Sequence, residues 1–196
     1  MGRPLLTDPV LHLLAGPNGS GKSTLVTRVL QPETGLPFVN ADVIAAREWP
    51  DAQAEHAYDA SQLAANERDE LIAHGASFIT ETVFSHPSKV DLVRTAHNVG
   101  YLVHLHVIVM PENLCVARVA ERVLDGGHSV PEDKIRQRHA RLWNLVVQAR
   151  DVADRTTFYD NSRADEPFLV VAEYEGGALI GAATWPAWTA TVLRTG

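Results

Sequence analysis

The residues Gly16-Pro17-Asn18-Gly19-Ser20-Gly21-Lys22-Ser23 carry the spacing G-x-x-x-x-G-K-[ST]. An apolar run, Val10–Ala15, precedes them and a helical pattern over residues 23–30 follows, the strand-turn-helix context in which such a loop binds phosphate. Glycine lets successive backbone N–H groups wrap a triphosphate, and the helix N-terminus beyond Thr24 adds a favourable dipole. Lys22 brings a charge to the outer phosphates and Ser23 a hydroxyl to magnesium. The expected nucleotide set is Gly16, Asn18, Gly19, Ser20, Gly21, Lys22, Ser23 and Thr24, with ATP and Mg2+ as the expected cofactors and Ser23 as the metal ligand.

Two acids follow at the ends of short apolar runs, in Phe38-Val39-Asn40-Ala41-Asp42 and Phe78-Ile79-Thr80-Glu81-Thr82. In a parallel sheet the ligand sits beyond the carboxyl ends of the strands, so both acids should reach the crevice that holds Lys22. Asp42 has the chemistry of a general base for an attacking hydroxyl, or of an N-cap for a helix from Val43. Glu81 suits an acceptor hydroxyl, a share of the magnesium, or a nearby arginine. The run at 102–110 ends without an acid, so the strand-terminal aspartate that often holds magnesium is missing from the place where it is sought first. Asn40, Asp42, Glu81 and Thr82 form the expected acceptor-binding set.

Arginines are the third ingredient. Residues 118–150 hold Arg118, Arg122, Lys134, Arg136, Arg138, Arg141 and Arg150 against Glu121, Asp125, Glu132 and Asp133, while the whole chain has a net charge of −7. Arg118 and Arg122 share a helix face, where like charges cost about 0.2–0.5 kcal/mol unless an anion lies between them. Gly126-Gly127 reads as a hinge before a second basic helix whose Ile135, Leu142, Val146 and Ala149 face inward. Such a pair of helices would make a mobile lid carrying guanidinium groups to a transferring phosphoryl, with His128, Arg136 and Arg138 on it. Lys22, Asp42, Arg118 and Arg122 are the expected catalytic residues.

These residues must be positioned by a scaffold, and the chain has the length for one. With 196 residues, 45% of them hydrophobic and 21% charged, it should fold as a single domain without metal or disulfide staples. Its single cysteine, Cys115, excludes an intrachain bridge and suits a reducing compartment, so cytoplasm is expected. No run approaches the length of a membrane helix, and Leu6 stands where a myristoylation site after Met1-Gly2 requires Ser or Thr. The acidic balance outside 118–150 argues against a nucleic-acid partner.

Strands are expected at Val10–Ala15, 37–40, 77–82, 101–110 and 156–160, alternating with helices that start near Lys22, Asp51, Pro87, Pro111 and Val130. Ser129 and Glu132 have capping-box spacing at the last of these. A hairpin over 168–180 turning at Gly176-Gly177, then a short helix around 188–193, should close the chain. His104 and His106 lie on one face of a strand, with His12 beside them if its strand is adjacent; neutral packed imidazoles are expected there rather than zinc. Trp143 and Trp188 are expected in packing.

Taken in order, GPNGSGKST, FVNAD, FITET, AERVLDGGHSVP with IRQRHARLWNL, and FYDNS resemble the zeta-toxin family of P-loop kinases over roughly residues 10–162. The resemblance implies an α/β, P-loop kinase-like three-layer sandwich spanning 1–196, with a mostly parallel central sheet, a helical lid at about 118–150 and a C-terminal hairpin and helix at about 167–194. It implies an ATP-dependent kinase acting on a sugar hydroxyl of UDP-N-acetylglucosamine or a related sugar nucleotide. Lys22 and Ser23 would bind phosphate and magnesium, Asp42 would match the family's catalytic acid, Glu81 its acceptor-binding acid and Arg118 a lid arginine. Val83 replaces a hydroxyl residue common in relatives, and His128 falls near a second lid arginine, which makes the clamp weaker or dependent on neighbouring arginines. Larger toxins carry sequence before the phosphate loop that helps seat an antitoxin; with Gly16 so early, an antitoxin partner is possible but not indicated. Two other readings use the same residues: a kinase of a nucleoside or antibiotic, and a nucleotide-gated binding module without turnover.

Overall fold

The computed structural model describes residues 8–124, 127 and 129–195. A seven-stranded sheet runs in the order β2-β3-β1-β4-β5-β6-β7, formed by β1 (Val10–Ala15), β2 (Phe38–Val39), β3 (Phe78–Thr82), β4 (Leu102–Val109), β5 (Arg155–Asp160), β6 (Leu169–Glu175) and β7 (Ala178–Ile180). The first five strands in space are parallel and the hairpin β6-β7 is antiparallel. This is the mostly parallel α/β fold expected from the alternation of apolar runs and helical patterns. Because β2 and β3 lie on one side of β1 while β4 lies on the other, the chain reverses its winding at β1, and a crevice opens at the carboxyl end of that strand.

Strand alternation divides the core between two layers. Leu11, Leu13 and Ala15 of β1 share one face with Val103, Leu105, Val107 and Val109 of β4, all buried. That face is covered by α3 (Ala41–Glu48), α4 (Ala57–Ala73), α5 (Ser88–Asn98) and α7 (Glu132–Arg150). Leu14, Ile79 and Ile108 point the other way onto Leu25, Val26 and Leu30. Those three come from α1 (Lys22–Leu25) and a π-turn at Val26–Leu30, which continues into α2 (Gln31–Thr34). A third cluster joins Cys115 and Val119 of α6 (Glu112–Leu124) to Ile135 of α7 and Met110 at the end of β4. Ile135, Leu142, Val146 and Ala149 are buried as the helical period requires. Trp143 belongs to the main core, and Trp188 edges a small hollow of about 210 Å³ before α8 (Thr191–Arg194).

Three local expectations need correction. The helix expected from Asp51 is two elements, α3 and α4, separated by turns at 50–56, where the Trp49 and His56 rings stack with centroids 4.6 Å apart. Ser129 does not cap α7: Pro131 is the N-cap, without a side-chain hydrogen bond, and the Glu132 carboxylate is taken by Arg136 on the next turn. Asp42 is not the cap of α3 either, because Asn40 Oδ1 accepts the Val43 N–H at 3.0 Å. His128 and the first glycine of the expected hinge, Gly126, lie outside the described residues.

Candidate active site

The loop between β1 and α1 is shaped by its glycines. Gly19 and Gly21 have φ of +77° and +94°, in the left-handed region. Space matters as much as dihedral. A Cβ on Gly21 would lie 2.6 Å from the Asn161 side-chain nitrogen, and one on Gly19 would lie 2.9 Å from the Cys115 carbonyl oxygen. The loop is thus clamped between the end of β5 and the first turns of α6. Asn161 Nδ2 donates to Ser20 O at 2.8 Å, and Asn161 is itself buried, so the segment FYDNS, for which the sequence suggested no role, holds the loop in shape. The signal was available: a polar pair at the carboxyl end of a strand, as at Asn40 and Asp42.

Lys22 is buried and its Nζ donates to Gly16 O at 3.1 Å and Pro17 O at 3.0 Å. Burial pushes its pKa down, opposed by the nearby carboxylates of Glu81 and Asp42. Ser23 Oγ donates to both oxygens of Glu81, at 3.1 and 3.0 Å. In this sheet β3 is hydrogen-bonded directly to β1, with Glu81 opposite Leu14, so the carboxylate beside the loop's hydroxyl comes from the third strand. Beyond Glu81, Thr82 Oγ1 accepts the Phe84 N–H at 3.2 Å, and buried Phe84 is held at φ +63°. Positive φ in a bulky residue persists only where the surroundings enforce it, and here it turns the chain sharply after Thr82 and Val83.

Lys22, Ser23, Asn40, Asp42, Glu81, Thr82, Arg118, Arg122 and Arg138 all line one cavity of about 640 Å³. Asp42 is exposed in α3 and makes no hydrogen bond or ion pair with a described residue. Arg138 Nη1 reaches Asn18 Oδ1 at 3.4 Å, which brings α7 onto the phosphate loop. Arg136, expected on the lid, is not on this cavity: it is bound to Glu132, Glu112 and Asn113 and braces α7 against α6. The cavity wall also contains Arg68 and Lys89, which the sequence analysis passed over. Beyond Gly19, Gly21 and Thr24 lies a second hollow of about 410 Å³, walled by Val29, Pro167 and Phe168 with Arg28, Arg118 and Arg163 at its edges.

The remaining titratable clusters lie elsewhere. Cys115 is buried, and burial pushes its thiol up to about 12, so it is packing and not a nucleophile. His12, His104 and His106 meet along the middle of β1 and β4, with His12 opposite His104 and His106 opposite Leu14. His12 Nδ1 pairs with His106 Nε2 at 3.0 Å, His106 Nδ1 with Tyr159 OH at 3.1 Å, and His104 Nε2 with Thr157 Oγ1 at 3.2 Å. Burial, reinforced by His12 and Arg155, lowers His104 to about 3.

Strand order, phosphate loop and helical lid together define a P-loop kinase-like fold. The chain belongs to the AAA domain family, whose profile matches residues 11–145. An uncharacterized protein of Haemophilus influenzae is 31% identical over 125 residues, covering 63% of this chain and 88% of that one. Among solved structures, a chain of the PezAT chromosomal toxin-antitoxin system of Streptococcus pneumoniae superposes with a TM-score of 0.61 at 17% identity, covering 85% of this chain and 72% of the other. A gluconokinase from Sinorhizobium meliloti gives a TM-score of 0.52 at 18% identity, with 80% and 84% covered. At such identities the likeness is one of fold. No described helix is long and apolar enough to cross a membrane.

Proposed function

We propose that this protein is a small-molecule kinase that transfers the γ-phosphoryl group of ATP to a hydroxyl of a sugar nucleotide, UDP-N-acetylglucosamine or a relative, in the manner of the zeta toxins. The observation that carries this reading is the Asp42 carboxylate, which has no hydrogen bond or ion pair among the described residues and lines the same cavity as Lys22, Ser23 and the arginines of α6 and α7. A protein that only bound nucleotide would have no use for a free base at that point.

The loop fits a triphosphate on its own evidence. Its Lys22 ammonium has carbonyl oxygens and no carboxylate as hydrogen-bond partners, and its glycines leave backbone where any Cβ would collide. The purine would occupy the apolar hollow against Phe168 and Pro167. Ser23 and Glu81, already in contact, fit a magnesium ion, which when bound neutralises charge on the outer phosphates. Asp42 takes the proton from the acceptor hydroxyl as its oxygen forms the new bond to phosphorus, and the bond from phosphorus to the ADP oxygen breaks. Arg118, Arg122 and Arg138 face the charge that spreads over the equatorial oxygens.

The test is to incubate the protein with a metabolite extract, ATP and magnesium and follow the extract by mass spectrometry. Phosphorylation of a sugar nucleotide by the wild type and not by Asp42→Asn supports the assignment. Phosphorylation of a nucleoside or antibiotic instead would move the acceptor, and no phosphorylated product at all would remove the kinase reading.

A further inference from the structure

The acceptor side of the cavity carries two cations that the nucleotide does not account for. Arg68 projects from α4 and Lys89 from the first turn of α5, and both line the 640 Å³ cavity. Each is half-buried. Some arginines have carboxylate partners, Arg47 with Glu48, Arg94 with Asp91, Arg136 with Glu112 and Glu132, Arg155 with Glu173 and Arg163 with Asp165, whereas exposed or loop-side ones such as Arg28, Arg118, Arg141 and Arg194 have none among the described residues. Arg68 and Lys89 have no hydrogen bond or ion pair with any described residue. Glu67 and Asp69 flank Arg68 in sequence, but consecutive helical residues point about 100° apart and neither closes on the guanidinium.

Two like charges in a partly dehydrated wall repel each other. Burial lowers the pKa of both, opposed at Arg68 by the nearby charges of Asp69 and Glu67, and the charge of Arg68 lowers Lys89 further. Evolution toward stability alone would have placed a carboxylate between them or removed one. An arrangement that costs folding energy in the empty protein and would be relieved by an anion is the signature of a binding group. Ser61 and Ser85 add hydroxyl donors to the same wall.

We propose that Arg68 and Lys89 form an oxyanion clamp that selects phosphoryl acceptors bearing a phosphate or carboxylate group of their own, distinct from the triphosphate seat at Lys22. The clamp rests on the reading of this cavity as a kinase site and names the residues that hold the anionic part of its acceptor. Arg68 supplies planar, directional N–H pairs and Lys89 a compact charge, so together they hold the group without demanding one geometry.

Calorimetry in the presence of magnesium and a non-hydrolysable ATP analogue tests this with four probes: UDP-N-acetylglucosamine, N-acetylglucosamine 1-phosphate, glucuronate, and uncharged N-acetylglucosamine. The expected result is that at least one anionic probe binds about tenfold or more tightly than the uncharged sugar. Preference for the phosphorylated probes assigns the clamp to phosphate, and preference for glucuronate assigns it to carboxylate. Arg68→Gln with Lys89→Met should erase the preference while the ATP analogue still binds and raises the melting temperature, and Lys89→Arg should retain it. The proposal is overturned if no anionic probe outbinds the uncharged sugar, or if the double variant keeps the preference. Failure of the kinase reading looks different: no phosphorylated product from any extract, whatever the charge preference in calorimetry.

Discussion

The phosphate-loop end of the cavity and the end proposed for the acceptor are built on different physical terms. At the phosphate-loop end the ligand-facing groups are mostly main chain, and the side chains that shape them have partners in the empty protein: Lys22 on two carbonyls, Ser23 on Glu81, Asn161 on Ser20 O. At the proposed acceptor end the groups are side chains on separate helices, and Asp42, Arg68 and Lys89 have no partner among the described residues. A preorganised cradle can be rigid because every nucleotide presents the same triphosphate. An acceptor site must instead leave its charges free for the molecule it selects, at a cost in stability. The histidine cluster is the useful control: His106 is buried, His12 and His104 are half-buried and all three are lowered in pKa, yet every member is paired within the protein and none lines the cavity. Perturbed titration marks a site only when the perturbed group is also left open to a ligand.

The largest effect should come from the lid, where charge appears only during transfer. Arg118 edges both the main cavity and the apolar hollow, so it can reach the junction of phosphate and base. Arg118→Lys keeps the charge and loses the planar fork, and turnover at saturating ATP should fall by about 10³ or more, at the low end of what arginine contributes to phosphoryl transfer. Arg136→Lys should leave turnover within about threefold, because Arg136 is occupied in bracing α6 against α7. Steady-state kinetics of the pair separates a catalytic arginine from a structural one, and equal losses would dissolve the distinction.

Asp42→Asn comes next, with an expected loss of about 10²–10⁴ in kcat and little change in ATP affinity. Because Asn40 already caps α3, the substitution removes no cap, and its effect on folding should be small. A stability loss equal to that of Asn40→Ala, with turnover retained, would assign Asp42 to the scaffold.

Lys22→Ala tests the other end. ATP with magnesium at a hundredfold excess over its dissociation constant should stabilise the wild type by about 2.7 kcal/mol, and most of that should vanish in the variant. Equal thermal shifts would show that the loop does not hold the triphosphate.

The two ends also differed in how far they could be read from sequence. The phosphate loop is contiguous, and its chemistry is fixed by spacing within a few residues, so β1, the glycines, Lys22 and Ser23 all fall where expected. Each strand-end acid was legible singly, as a polar residue closing an apolar run. Their partners were not, because partnership depends on strand order: only with β3 beside β1 does Glu81 meet Ser23. Asn161 and Ser20 are joined across 141 residues, and Arg68 of α4 and Lys89 of α5 come to one cavity only in the folded chain. Local motifs misled where a side chain had a better offer nearby, as when Glu132 took Arg136 in place of a capping box.

The smallest effect expected concerns the control region and bears on stability alone. In the folded chain His104 is held neutral, with its pKa lowered to about 3 by burial and by the neighbouring charges, whereas in the unfolded chain it titrates near 6.5. Unfolding therefore takes up a proton between those values. The contribution is fully present above about pH 6.5 and is lost as pH falls toward 3, at about 1.4 kcal/mol per pH unit for each histidine so buried. His12 and His106 are shifted in the same direction by burial, so the three add in sign. Urea unfolding at a series of pH values between about 4 and 7 should show this slope, and His104→Gln should reduce it by about one proton's worth while turnover at neutral pH stays unchanged. A His104→Gln variant that unfolds with the wild-type pH dependence would show that the cluster does not exclude protons, and one that loses turnover would place this part of β4 in the mechanism after all.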